Sequence, residues 1–230
     1  MSSGRIEQVE QLIEKFLGST DVSDPKVKKK LKILEGATEL FIAHGYRKTS
    51  VDDIAARAAV AKGTVYLYFE NKAEILMAAI AMEEKQHMAR LEPVFNGSLA
   101  PKERLEKWLS TALMLGTEMP LTAKILSGDH EIMAALDELP PDVRARSDEL
   151  TLGFARELVD EAAQPHSLTK QALDERAAVV AGLVYFAGML MNQQVRSGLS
   201  VSRYAEVMAG LVVHGIGERL GDQKVRRAKA

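Results

Sequence analysis

No cysteine occurs among the 230 residues, which excludes a disulfide framework and a thiolate metal site and gives no reason to assign an oxidising compartment. A convincing run of alternating β-branched residues is also missing, so nothing nucleates a sheet. There is no internal repeat and no low-complexity tract. The opening stretch, Met1 to Glu10, holds neither the apolar core nor the small-residue cleavage site of a secretory leader, and a cytoplasmic location is expected. Nucleophile elbow, phosphate-cradling glycine loop and zincin signature are absent as well. An enzyme would have to rely on carboxylates such as Glu118 or Asp129, for which no positive pattern exists. The five histidines, at 44, 87, 130, 166 and 214, form no i, i+4 pair with a third ligand nearby. No metal and no cofactor are predicted, Asp129-His130-Glu131 being the nearest approach to a metal site.

What the chain does have is apolar content, 47%, enough for one large or two small cores. Its longest uncharged stretch, Ala177 to Val195, approaches bilayer-spanning length. Asn192, Gln193 and Gln194 close it and Gly182 and Gly188 interrupt it, which suits a buried or interfacial helix, and no membrane span is predicted. Charge is distributed unevenly. From Lys26 to Lys72 there are ten Lys/Arg and five Asp/Glu, a local +5 that leaves −7 for the rest of a chain whose total is −2. A basic module beside an acidic body suits nucleic-acid binding, because phosphate attraction depends on local charge.

Helical periodicity dominates, and the fold class is all-α. Ile6, Val9, Ile13 and Phe16 mark a short amphipathic helix ahead of a breaker stretch, Gly18 to Pro25. Leu34, Ala37, Thr38 and Phe41 form the next stripe, stopped by Gly45. Ser50 and Asp53 make a capping box for a helix from Val51 to about Ala58. After a turn at Ala59 to Ala61, a helix from Lys62 to Phe69 turns Val65 and Phe69 inward and Lys62 and Tyr66 outward. Asn71 and Glu74 then cap a long helix running toward Pro93. Longer helices follow: from Pro101, through Leu126, around Glu131 to Leu136, from Pro141 to Gln164 with Leu150, Phe154 and Leu158 in one row, and finally Asp174 to Arg196 and Ser202 to Leu220. The division predicted is 1–25 as an extension, 26–75 as a helix-turn-helix domain, 76–221 as a larger helical domain, and 222–230 as a basic tail.

Two short helices joined by a tight turn and backed by a packing helix constitute a helix-turn-helix, whose second helix enters the major groove of duplex DNA. Such a helix needs small or polar residues at its tip, which Lys62, Gly63 and Thr64 supply, and flanking phosphate donors, which Tyr66, Tyr68 and Lys72 supply. Lys48, at the corner before the capping box, and Ser50, the first residue of that box, complete the candidate DNA face. The lysines at 26, 28, 29, 30 and 32 are either a solvated face or an aid to non-specific binding.

Gly45-Tyr46-Arg47-Lys48-Thr49-Ser50-Val51-Asp52-Asp53-Ile54-Ala55, Val60-Ala61-Lys62-Gly63-Thr64-Val65-Tyr66-Leu67-Tyr68-Phe69 and Asn71-Lys72-Ala73-Glu74 together resemble the DNA-binding domain of TetR-family regulators over roughly residues 30 to 80. The resemblance implies that Lys62, Thr64, Tyr66, Tyr68 and Lys72 lie at the DNA. It also implies a C-terminal domain that binds an effector and dimerises through its last two long helices, here 174–196 and 202–220. Two departures stand out. Ala59 and Ala61 occupy positions where the family often has Gly and Ser, so a left-handed Ala59 would be strained by about 1 kcal/mol and the helix start would lose a side-chain cap.

Taken with that resemblance, the chain is expected to be a homodimeric, ligand-responsive switch on a palindromic operator, with a repressor as the expected form and a constitutive DNA-binding protein as the alternative. Trp108, Met114, Met133, Phe154, Tyr185, Met189 and Asn192 are the candidate effector contacts, and the effector is expected to be apolar or amphipathic because few charges interrupt those rows.

Overall fold

A computed structural model describes residues 3–96, 98–138 and 141–216, all helix and connecting turn with no strand among them. The side chains of Ile6 and Leu150 lie outside the described set, as do the end of the last predicted helix beyond residue 216 and the basic tail. The first helix, α1 (Ser3–Leu17), is the amphipathic extension. It buries Ile13 and Leu17. The next helix, α2 (Pro25–His44), starts earlier than its stripe suggests because Asp24 caps it, accepting from Lys26 N, and Pro25 takes the first helical position. Gly45, at φ +84°, ends it.

The helix-turn-helix follows as α3 (Val51–Arg57) and α4 (Lys62–Tyr66). The latter is shorter than predicted, since Leu67 to Phe69 continue as a turn rather than a helix. A long α5 (Lys72–His87) leads through a 3₁₀ turn, Met88–Leu91, to the one-turn α6 (Glu92–Phe95). Then come α7 (Pro101–Glu118), α8 (Pro120–Leu126), α9 (His130–Leu136), α10 (Pro141–Ala163) and α11 (Lys170–Leu183). The helix predicted from Asp174 to Arg196 is not continuous. It gives way at Val184–Met191 to a 3₁₀ stretch, followed by α12 (Gln193–Arg196) and α13 (Val201–Ile216).

The 3₁₀ stretch packs closely on its neighbours. Ala187 sits so close over α7 that a Cβ on Gly116 would fall 2.2 Å from its own, and a Cβ on Gly188 would come within 3.0 Å of Ser127. Glycine at 116 is what permits this approach. No described helix is long and apolar enough to cross a membrane.

Two cores result. The first joins α1 to α5 around Phe41, Ile54, Val65, Phe69 and Leu76, and takes in Leu121 of α8 and Ile132 of α9. A second gathers α6, α7, α10, α11, the 3₁₀ stretch and α13 around Leu105, Trp108, Leu109, Phe154 and Leu158. The predicted boundary at residues 75 and 76 falls inside α5, which buries residues all along its length from Ala73 to Glu83. Between the cores, Glu83 of α5 is buried and accepts from Leu121 N and Thr122 N, each at 3.1 Å, and from Thr122 Oγ1 at 3.2 Å. One carboxylate thus caps the start of α8, tying the body to the helix that follows the helix-turn-helix.

Candidate nucleic-acid interface

Three local devices fix the pose of α4. The capping box forms in full: Ser50 Oγ accepts from Asp53 N at 3.1 Å, and Asp53 Oδ2 accepts from Ser50 N at 2.9 Å and from Ser50 Oγ at 2.6 Å. These bonds hold the Asp53 carboxyl below the usual carboxylate range. The inward pair, Val65 and Phe69, is buried at 0% and 2% exposure. Between the helices, Ala59 adopts φ +54°, a conformation that costs an alanine about 1 kcal/mol. Ala61 then stands at the N-cap of α4 without a side-chain hydrogen bond. Both departures from the family pattern therefore have the structural consequence anticipated for them.

With the inner face locked, Lys62, Gly63, Tyr66 and Leu67 point to solvent. Tyr66 is 49% exposed and Leu67 82%. Leu67 is absent from the predicted contacts because it is apolar, yet at 100° per residue it lies about 200° from Val65, on the face opposite the packed pair. Thr64 is half-buried, and Tyr68 packs partly against the first core. Lys62 Nζ donates to Asp52 Oδ2 at 2.7 Å, with both side chains mostly exposed, and this partner raises the lysine's already high pKa. Lys62 consequently stays cationic and is only loosely held, since exposed pairs are weak.

Lys72 is engaged within the protein itself. Its ammonium donates to the carbonyls of Tyr46 (2.8 Å) and Thr49 (2.9 Å) and lies 4.1 Å from the centroid of the Tyr46 ring. Desolvation lowers its pKa. The side chain fastens the 45–50 corner, where Lys48 and Ser50 are exposed, onto α5. Ser50 spends its hydroxyl proton on Asp53. Across the same corner, Arg47 N donates to Glu131 Oε2 of α9 at 3.1 Å, a tie to the body that sequence spacing gives no sign of. Among the basic run, Lys30 is half-buried, donating to the carbonyl of Phe16 at 3.3 Å and lying 5.3 Å from the centre of the Phe69 ring. Lys26, Lys28, Lys29 and Lys32 are exposed.

The predicted effector residues do not converge. Trp108 and Phe154 meet edge to face, centroids 5.7 Å apart, inside the second core, with Met114 packed at its border. Met133 is half-buried on α9, which belongs with the first core. Tyr185 and Met189 are exposed on the side of the 3₁₀ stretch away from Ala187 and Leu190, and Asn192, just past its end, is exposed as well. A surface groove of about 660 Å³ lies elsewhere, among Glu14, Gly18, Ser19, Thr20, Asp21 and Lys85, and includes none of them. Among the described residues, no three His, Cys, Asp or Glu are grouped to hold a metal ion.

Residues 33–79, from within α2 to within α5, match the family profile described as "Bacterial regulatory proteins, tetR family". The chain is 30% identical over 157 residues to the "Fatty acid metabolism regulator protein" of Bacillus subtilis, an alignment that covers 65% of this chain and 75% of that one. Its fold is similar to a TetR/AcrR-family regulator from Thermobifida fusca, with TM-score 0.62 and 23% identity over 82% of this chain and 98% of that one. It is also similar to the regulator FadR of Bacillus subtilis crystallised with stearoyl-CoA, with TM-score 0.57 and 21% identity over 82% and 99% of the two chains. The profile spans the same two short helices that the Ser50 box and the Val65–Phe69 pair hold in place, and a regulator 30% identical is matched over three quarters of its length, so the chain belongs to the TetR family of bacterial DNA-binding transcriptional regulators.

Proposed function

We propose that this regulator acts in the cytoplasm as a homodimeric repressor whose two α4 helices enter successive major grooves of a palindromic operator, about 34–36 Å apart. The observation that carries the reading is the exposed tip Lys62-Gly63-Thr64 with Tyr66 and Leu67 beside it, on a helix whose other face is locked by Val65 and Phe69. Lys62 exchanges Asp52 for a phosphate, Tyr66 donates to a second phosphate, and Leu67 offers an apolar contact to a thymine methyl. Lys48 reaches the backbone from the corner that Lys72 fastens, and Tyr68 packs at the edge of the contact.

Assembly rests on an apolar surface formed by Val179, Phe186 and Met189 together with Val207 and Leu211, which are 63%, 48%, 54%, 37% and 70% exposed. These residues belong to α11, the 3₁₀ stretch and α13, and a second copy is their natural cover. The second core receives an effector bearing an acyl chain, between α7 and α10 beside Trp108 and Phe154. That class is supported by the similarity to a regulator named for fatty acid metabolism and to a structure solved with stearoyl-CoA. In a mobility-shift titration on the operator, Lys62→Ala and Tyr66→Ala should each weaken binding strongly while helical content and dimer are retained. The slope of log affinity against log salt should flatten by about one unit for each phosphate that a variant no longer engages. Unchanged affinity in both variants would remove α4 from the interface.

A further inference from the structure

Arg104, at the start of α7, is only 8% exposed. Its Nη1 donates to Glu161 Oε2 of α10 at 2.6 Å, but its Nε and Nη2 are buried with no hydrogen-bond partner. Thr111 Oγ1, on the same helix, is likewise buried without one. At 100° per residue, Arg104, Trp108 and Thr111 fall within an arc of roughly 60°, spread over about 10 Å of helix axis. Trp108 meets Phe154 edge to face, and the Phe154 ring lies 5.3 Å from that of Phe95. One face of α7 thus carries a cation at one end, an aromatic wall beside it, and a hydroxyl farther along.

Leaving two N–H groups of a buried guanidinium unpaired is costly. Their placement is informative, because Nε–H and Nη2–H are the parallel pair on one edge of the guanidinium plane, the fork that matches two oxygens of a carboxylate or phosphate. Glu161 engages the opposite side through Nη1 and is itself more exposed, 39% at its side chain. It orients the fork without occupying it. We propose that the Nε/Nη2 edge of Arg104 is the anion-binding end of the effector site, taking the paired oxygens of a carboxylate or phosphate on an otherwise apolar acyl ligand whose chain lies along Trp108 and Phe154. The inference rests on the effector reading above and gives that site a polarity and a charge preference.

The single tryptophan, Trp108, makes the test direct, since its emission reports occupancy of the full-length protein. Three ligands are titrated: palmitate, palmitoyl-coenzyme A and the uncharged 1-hexadecanol. Arg104→Met should weaken binding of the charged ligand by about 10- to 100-fold, the scale of a charge-assisted bidentate contact, and leave 1-hexadecanol unchanged. Loss confined to palmitate identifies a carboxylate as the ligand group; loss confined to palmitoyl-coenzyme A identifies a phosphate. Arg104→Lys, which keeps the charge and loses the fork, should show an intermediate loss, and it carries the comparison if Arg104→Met does not fold. Equal affinity of variant and parent for every ligand, or an equal loss for all three, would overturn the anion site and leave the effector reading standing. Failure of the unmodified protein to bind any of the three would overturn both.

Discussion

Gly63 stands in open space, where an added Cβ would meet nothing within 4 Å. In the free protein, Gly63→Ala should therefore fold normally and gain about 0.5–1 kcal/mol, because alanine fixes a helical backbone at lower entropic cost. At the operator the same methyl would stand between backbone and groove, and affinity should fall. Thermal melting and a shift assay on one variant read the two opposite signs, and operator affinity equal to the parent's would take Gly63 out of the interface. Residue-level features of this kind are legible in the sequence where they are local. The Ser50–Asp53 box, the Val65–Phe69 pair and the left-handed Ala59 all depend on neighbours within a few positions. The contacts that Lys72 makes with the carbonyls of Tyr46 and Thr49 are not legible in the sequence, because they form only after α5 packs against the corner. Arg104 carries no signal at all: whether a cation's donors are paired is a property of tertiary neighbours.

Helices are legible where punctuation marks them. Gly45, Asn71 and Pro101 bracket elements that form where this punctuation places them. The break at Val184–Met191 carries no such mark; the close neighbours of this stretch, Gly116 and Ser127, lie on other parts of the chain. The seam between the cores also has chemistry of its own. Beside the capping carboxylate of Glu83 lies half-buried Glu84, whose pKa is pushed up to about 7 by desolvation and, secondarily, by Glu83. A folded-state pKa above the unfolded value means that folding takes up a proton. The associated stability is complete below the unfolded carboxyl pKa and is lost as pH rises through about 7. Glu84→Gln, which holds the neutral form at every pH, should therefore melt close to the parent at pH 5 and progressively above it toward pH 8. A melting difference that is flat across that range would place Glu84 in water.

Considered whole, the molecule buries both cores yet leaves a row of large apolar side chains outside them. Leu183, Val184 and Val212 pack against the second core, whereas Leu211 is 70% exposed on α13. Of these four, Leu211 is the position where a charge can test assembly without disturbing the fold. Leu211→Glu should leave the helical spectrum and melting of the protomer intact, convert the sedimenting species from dimer to monomer, and lower operator affinity because each half-site is then bound without its partner's contribution. A parent protein that sediments as a monomer at micromolar concentration would contradict the proposed assembly. The sequence points to these two terminal helices through excess apolar content, but it steers Tyr185 and Met189 toward a ligand. Both faces of that stretch are hydrophobic, and only the packing of Ala187 and Leu190 settles which one turns inward.

Those eight residues, Val184–Met191, put Ala187 and Leu190 against the body and Tyr185, Phe186, Met189 and Met191 toward solvent. Rewinding such a stretch from 3₁₀ to α geometry would shorten it by about 4 Å, since the rise per residue drops from about 2.0 to 1.5 Å. In the assembly proposed here, anything that favours one winding from the inside alters how well the outside fits its twin, and coupling of this kind runs equally in both directions. The abundance of the regulator would then become an input alongside the proposed effector. A cell that makes more of the protein would hold more of it paired, shift the winding through mass action, and move the dose of ligand at which its genes respond.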